Sequence, residues 1–461
     1  MRKRNVRRVG ALLIGLSLVA AACGDDDEDA GSTETTAAAT TAAPATTAAP
    51  ETTAAPDTTA AAAGGELAGL KGTTPLVDLS DEFKEKMLAI DPELKDFNYG
   101  PETFDAVTVI ALAVEEAKDD GIAYAEKING ITRDGEKCDS FAACKAIIDA
   151  GGDVDYDGVS GPLEFAGTGE PLVASYGVLV FGDDNRIDDA ATTFKAAEAL
   201  ASADVPPVPV EGTRAGDGKL VIGSILPQTG SLAFLGPPEF AGFDLAIKEI
   251  NEAGGVLGQP VEGIKGDSGD ATTDTANQTV DRLLSQNVDA IVGAASSGVS
   301  LTVIDKITGA GVVQFSPANT SDTLTNYADK GLYFRAAPPD LLQGATLGSL
   351  IADDGIASVA IVARNDAYGT GLAESAAAAL EEAGVEVVET KIYDEKAQTF
   401  DAEVAAVQAA NPEAVLLIAF NEASKILKTM IEQGVGPQDI AVYGVDGFVS
   451  NSLGEDFDAG K

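Results

Sequence analysis

Ala290-Ile291-Val292-Gly293-Ala294-Ala295-Ser296-Ser297-Gly298 is the stretch whose reading decides the fold class. Its opening is a short apolar run, right for a buried strand and too short for a helix. The small residues after it read as a loop directly before a helix around Leu301–Gly309, which leads to a strand near Val312–Phe315. Strand, tight loop, helix and strand make a βαβ unit, and such units build parallel sheets with right-handed crossovers.

The rhythm extends in both directions. Upstream, Leu220–Leu226 reads as an apolar strand, and Phe240, Phe243, Ile247 and Ile250 fall at helical spacing before the stop at Gly254-Gly255. Downstream of Tyr333-Phe334-Arg335 the alternation restarts and runs to Ile440–Gly444. The expected fold class is α/β: two open parallel-sheet lobes, with cores at 218–339 and 340–461, joined by a hinge.

Residues 66–190 do not share that rhythm. They predict helices near Asp81–Ala89, Pro101–Asp119 and Ala143–Ala150, then a hairpin-like pair at Val159–Phe165 and Leu172–Phe181. Too few parallel strands are present for a separate sheet, so this piece reads as completing elements for another core. Residues 191–217 read as a linker, partly helical where Ala-rich, then Val205-Pro206-Pro207-Val208-Pro209.

The amino terminus has its own signals. Arg2, Lys3, Arg4, Arg7 and Arg8 precede the apolar run Ala11–Ala22, which fits a signal-peptide core over 1–22. Leu18-Val19-Ala20-Ala21-Ala22-Cys23 resembles a bacterial lipobox, implying lipidation at Cys23; cleavage after Ala22 with a free cysteine is the alternative. The Thr/Ala/Pro-rich stretch completes a tether at 23–65, with too few apolar residues to offset the entropy of ordering. Cys138 and Cys144 form a close pair, expected to be a disulfide in an exported protein.

A net charge of −44 over 461 residues repels phosphate backbones and argues against a nucleic-acid partner. The absence of His removes the usual Ser/His and Cys/His bases and most zinc sites. No Gly-rich phosphate loop ending in Lys-Ser/Thr occurs either. The expectation is a protein that is not an enzyme and uses no cofactor or metal.

Ligands of open parallel sheets bind beyond the carboxyl ends of strands, where helix-start N–H groups point outward. Three loops are so placed: Pro227–Gly236, Gly293–Gly298 and Ser316-Pro317-Ala318-Asn319-Thr320-Ser321. A serine at a helix start is also a plain N-cap, so Ser296 alone decides nothing. Taken together, the second and third loops offer donors that can hold a carboxylate without Arg or Lys.

At these residues the chain resembles the branched-chain amino-acid (leucine/isoleucine/valine) periplasmic solute-binding proteins of ABC transporters. Ile222-Gly223-Ser224-Ile225-Leu226-Pro227-Gln228-Thr229-Gly230, Ser316-Pro317-Ala318, Arg364-Asn365-Asp366-Ala367-Tyr368-Gly369 and Gly158–Phe165 carry the likeness with the serine loop. The order resembles a circular permutation, because 218–461 reads like the beginning and middle of such a protein and 66–190 like its end. The resemblance implies that Ser297 and Thr320, with Ser296 nearby, hold an α-carboxylate, and that Ala318 and Asp446 meet an α-ammonium. It implies that Tyr368 covers the ligand and that Phe420 and Phe234 wall its side chain.

The implied function is capture of an amino acid or similar zwitterion and its delivery to ABC permease subunits by a lipid-anchored, extracytoplasmic bacterial lipoprotein. A ligand-sensing receptor of the same fold for amides, urea or amino acids is the alternative. The two pieces complete one core either within a chain or by exchange in a dimer.

Overall fold

The computed structural model describes residues 65–199 and 205–458. The elements begin with β1 (Lys71–Pro75), α1 (Asp81–Ile90), α2 (Gly100–Ala117), α3 (Ile128–Ile131), β2 (Glu136–Cys138), α4 (Phe141–Asp149), β3 (Val154–Tyr156), β4 (Val173–Val180) and β5 (Thr193–Glu198). Next come β6 (Val221–Ile225), α5 (Gly236–Glu252), β7 (Glu262–Ile264), α6 (Thr275–Ser285), β8 (Ala290–Gly293), α7 (Ser297–Gly309), β9 (Val313–Ser316) and β10 (Tyr333–Arg335). The chain continues through α8 (Asp340–Asp353), β11 (Ser358–Arg364), α9 (Ala367–Glu382), β12 (Glu386–Tyr393) and α10 (Asp401–Ala410). It ends with β13 (Ala414–Ile418), α11 (Ala423–Glu432), β14 (Ala441–Val445) and α12 (Asn451–Glu455).

The first lobe is built on a five-stranded parallel sheet, order β10-β9-β8-β6-β7. Side chains alternate across it with the two-residue strand period. Ile225 and Ile291 pack with Val280, Leu283, Val299 and Val303 of α6 and α7. Ile222, Val292 and Phe315 pack with Ile110 of α2 and with Phe243 and Ile250 of α5. The crossing of α2 on α5 is close: a Cβ at Gly242 would sit 2.1 Å from the Gly100 carbonyl oxygen, so only glycine fits there.

The second lobe holds a seven-stranded sheet, order β12-β11-β13-β14-β1-β4-β5. β1 lies parallel to β14, with Lys71 opposite Tyr443, Gly72 opposite Gly444 and Thr73 opposite Val445. The sheet is mixed rather than wholly parallel, because β4 runs antiparallel to both β1 and β5. Antiparallel neighbours need no helical crossover, which is why this edge lacks the βαβ rhythm. Residues 66–190 thus contribute strands to the second lobe, while α1 and α2 pack on α5 of the first.

Two local expectations are corrected. The expected pairing of 159–165 with 172–181 reduces to one bridge between Phe165 and Pro171. The backbone N–H groups of Val159 and Ser160 instead donate to the buried Asp105 carboxylate at 3.0 and 2.8 Å. The Ala-rich start of the 191–217 stretch is strand β5 rather than helix, and it pairs the outer edge of β4 along Val173–Val178.

Described segments at 76–80, 165–172 and 336–339 cross between the lobes, and a buried ion pair ties the second of them to the end of β10. Arg335, 1% exposed, donates through Nε to Glu170 Oε2 at 3.0 Å and through Nη1 to the Ser321 carbonyl at 2.9 Å. Cys138 and Cys144 are joined as a disulfide, Cα to Cα 5.3 Å, linking β2 to α4. The expected signal peptide (1–22), lipidated Cys23 and the tether up to residue 64 lie outside the described residues. Among the described residues, no helix is long and apolar enough to cross a membrane.

Candidate functional site

The first-lobe wall is assembled by the loops after β8 and β9. Ser296 is the N-cap of α7, its Oγ accepting from Val299 N at 3.4 Å. Ser297 opens the helix, 2% exposed, and its Oγ accepts from Ser321 N at 3.3 Å, leaving its own O–H to donate elsewhere. Asn319 ties the two loops together, donating to the Ala294 and Ala295 carbonyls at 3.0 and 2.7 Å. Ser316 Oγ supports the turn by accepting from Ala318 N and Asn319 N. Both serines therefore sit at the electropositive start of a thirteen-residue helix.

The second-lobe wall is acidic and aromatic. Asp446, just past β14, is 4% exposed. Its Oδ1 accepts from the Tyr368 hydroxyl at 2.8 Å and its Oδ2 from the Tyr99 hydroxyl at 2.7 Å. Burial pushes its carboxyl up, and the bonds from Tyr99 and Tyr368 work against that rise. Tyr368 stacks on Phe420 with centroids 5.3 Å apart, and the Arg364 guanidinium lies 3.6 Å from the centre of the Phe420 ring. Arg364 is itself held by Asp366 and Glu422 at 2.7 and 2.5 Å, so the stack is fixed from behind.

Ser296, Ser297 and Ala318 of the first lobe line the same cavity as Tyr368, Phe420 and Asp446 of the second. The space left between them is ≈ 10 Å³, enough for one water, so this arrangement is closed and a solute enters only when the lobes part. Phe234 is the exception among the expected wall residues. The short turn Ala233–Leu235 places Leu232 and Leu235 on the wall, while Phe234 packs, partly buried, against the core.

Thr320 is 1% exposed and its Oγ1 has no hydrogen-bond partner. Beside it lies Asp340, the first residue of α8, fully buried with both carboxylate oxygens unpartnered. Thr320 Oγ1 gives that carboxylate some relief without reaching hydrogen-bonding geometry, and burial holds the Asp340 carboxyl well above the usual range. Asp340 and Tyr99 were not foreseen from the sequence. The available signal for Asp340 was an acid at a helix start after Pro338-Pro339; Tyr99, whose left-handed backbone (φ 59°) only the structure shows, offered none.

The cavity thus has helix-start and hydroxyl donors on one side and the buried Asp446 carboxyl on the other, while Asp340 is buried next to Thr320 without lining it. The charge of Asp446 raises the Asp340 carboxyl, so the two acids act on one another.

The sequence profile of the family described as periplasmic binding protein matches residues 219–460. A Leu/Ile/Val-binding protein homolog 7 from Brucella abortus is 29% identical over 238 residues, covering 49% of this chain and 58% of its own length. An amino acid binding protein from Pseudomonas aeruginosa is 29% identical over 229 residues, covering 49% of this chain and 61% of its own. The chain therefore spans 58–61% of the length of these curated relatives, which are named as binding proteins and not as enzymes. Among solved structures, a branched-chain amino acid transporter substrate binding protein from Streptococcus pneumoniae, in complex with isoleucine, is 27% identical with a TM-score of 0.46, covering 52% of this chain and 68% of that one. A profile match across more than half of the residues, on two α/β lobes closed over a buried cleft, makes this chain a member of the periplasmic binding protein family.

Proposed function

We propose that this protein is a lipid-anchored, extracytoplasmic solute-binding protein that captures an amino acid, branched-chain or a similar zwitterion, and delivers it to the permease subunits of an ABC importer. The observation that carries the reading is the opposition of Ser296 and Ser297 at the start of α7 to Asp446 across one closed cleft, with the buried, unpartnered Asp340 carboxyl next to Thr320. An α-carboxylate fits the first pair, with the Thr320 hydroxyl in reach of the same loop; an α-ammonium fits Asp446 and the Ala318 carbonyl. Leu232, Leu235 and Phe420 offer an apolar wall to an aliphatic side chain. The open form captures the solute, and closure brings Tyr368, Phe420 and Asp446 against the first-lobe donors. Ligand stabilises the closed form only by its higher affinity for that form.

A second reading is a receptor of the same fold that senses amides, urea or amino acids, for which the same opposed donors and acceptors would serve. For the chain order we infer a circular permutation in which 66–190 is the family's closing portion and 218–339 and 340–461 its two lobe cores. The parallel pairing of β1 with β14 supports this. So does Asn185, which accepts from Leu67 N at 2.9 Å and donates to the Phe457 carbonyl at 3.2 Å, holding residues from both ends of the described chain side by side.

A thermal-melt screen of the full chain against single amino acids, amides and urea tests the function. A ligand of the folded form raises the melting temperature, with ~2.7 kcal/mol of stabilisation at 100 times its dissociation constant. Shifts with leucine, isoleucine or valine support amino-acid capture; shifts confined to amides or urea support the second reading. A sharp melt moved by none of these solutes contradicts both.

A further inference from the structure

Asp446 accepts from two tyrosines, and they come from opposite sides of the cleft. Tyr368, near the start of α9, shares the second lobe with the acid, so its bond does not depend on the distance between the lobes. Tyr99 precedes α2, which packs on α5 of the first lobe. Its backbone is clamped there, since a Cβ at the next residue, Gly100, would lie 3.0 Å from the Pro238 carbonyl oxygen. That backbone is also left-handed, φ 59°, a conformation a tyrosine keeps only where its surroundings impose it. The 2.7 Å bond from the Tyr99 hydroxyl to Asp446 Oδ2 therefore spans the lobes and does not survive their parting.

Other bonds also cross. Asn98 Nδ2 donates to the Val449 carbonyl at 3.2 Å, and Asp96 Oδ1 accepts from Asn451 N at 3.1 Å. Asp96, Asn98 and Asn451 line one groove with the 76–79 crossing, which puts these bonds at the pivot. Ser321 Oγ donates to the Ala367 carbonyl at 2.8 Å. The Tyr99 bond differs from these in ending on the acid that faces the cleft. The space it encloses is ≈ 10 Å³, room for one water, with Tyr99, Tyr368 and Asp446 all on its wall. Lobes that close over an amino acid must stop further apart than this, which leaves the Tyr99 hydroxyl out of reach of Asp446.

We propose that the Tyr99–Asp446 bond is a latch, which holds the empty cleft shut and which a ligand displaces in order to bind. The displacement rests on the reading of Asp446 as the partner of a ligand's ammonium; the latch itself does not. In the empty protein the hydroxyl stands in for the ammonium, so the buried acid is not left without a donor. A bond to a carboxylate is stronger than one between neutral groups, and it favours the closed form that no ligand can enter. Apparent affinity is lowered by the fraction of molecules so closed. The two tyrosines on one acid thus act in opposite senses: Tyr368 stays with Asp446 when ligand is bound, and Tyr99 competes with the ligand for it.

The test is Tyr99→Phe in the full chain, which keeps the ring and removes the donor. Amide exchange over 294–299, read by mass spectrometry without ligand, reports on opening. The first N–H groups of α7 have no intrahelical acceptor, so the closed cleft is what shields them. The variant is expected to exchange there at least ~5-fold faster while melting cooperatively. Leucine titration and stopped-flow tyrosine fluorescence should show ~5-fold tighter binding, carried by faster association, with dissociation within about twofold of wild type. Tyr368→Phe moves affinity the other way. Unchanged exchange in folded Tyr99→Phe overturns the latch, whatever leucine does. Faster exchange with unchanged or weaker leucine binding overturns the displacement. Faster exchange where leucine binds neither protein supports the latch and contradicts leucine capture instead. If Tyr99→Phe unfolds, Asp446→Ala removes the other end of the bond and exchange alone decides: faster exchange supports the latch and unchanged exchange overturns it.

Discussion

The Tyr368 hydroxyl donates to Asp446 Oδ1 at 2.8 Å while the Tyr368 ring lies on Phe420, so one side chain both orients the buried acid and forms the aromatic wall beside it. The three residues come from separate connections, Tyr368 from the start of α9 after β11, and Phe420 and Asp446 from the loops after β13 and β14. Their meeting follows from those strands being neighbours in one sheet. Tyr368→Phe removes the bond and keeps the ring, and is expected to cost about 1 kcal/mol of ligand affinity. Tyr368→Ala removes both and costs more; equal losses in a titration would mean that the ring contributes nothing.

Asp340 separates stability from binding. Its carboxyl is held well above the ordinary range by burial, so ionising it in the empty protein costs free energy. Asp340→Asn is therefore expected to raise the melting temperature of the empty protein at pH 7 and to weaken ligand binding by at least ~10-fold. A melt and a titration on the same sample check both directions.

Glu102 of α2 and Glu239 of α5 are buried together, and burial raises the Glu102 carboxyl to about 8. Glu239 is raised too, by burial and then by the charge of Glu102. A carboxyl raised on folding binds more protons in the folded state than in the unfolded one. Its contribution to stability is thus full below the ordinary carboxylate range and lost as pH rises toward about 8. Stability should fall between roughly pH 4.5 and 8 by at most about 1.4 kcal/mol per pH unit for each such group. Glu102→Gln should flatten that fall in denaturant titrations across the window.

The Arg335–Glu170 pair is worth testing from one side only. Glu170→Gln leaves a guanidinium that is 1% exposed without its counter-charge, and a loss of about 3–5 kcal/mol is expected in urea unfolding. Replacement of both partners by apolar residues should cost much less, because no charge is then left buried.

The disulfide closes a short loop, Cys138 to Cys144. Cys138→Ser with Cys144→Ser should lower stability by about 2 kcal/mol and leave ligand affinity unchanged, since the loop joins β2 to α4 and not the cleft.

The βαβ alternation from β6 to β14 was legible because each strand is an apolar run set between helical spacings. β1 was not: Lys71-Gly72-Thr73-Thr74-Pro75 has no apolar run, and it is a strand because β14 and β4 flank it. β5 was masked in the same way by an Ala-rich composition that favours helix in isolation. The serine loop could be read from its place after an apolar strand, whereas Asp446 was implied only by the family resemblance. Tyr99 could not be read, because it reaches the cleft through packing between distant segments, and the Pro227–Gly236 loop, without periodicity, did not tell which of Leu232, Phe234 and Leu235 lines the cavity.

The most direct test of zwitterion capture is a calorimetric titration of the full chain with leucine, run on wild-type protein and on Asp446→Asn. The predicted result is one saturable site per chain, weakened by ~10–100-fold in the variant while its melt remains cooperative. Wild-type protein that takes up leucine no better than Asp446→Asn would contradict the account, since the buried acid would then have no part in holding the ligand.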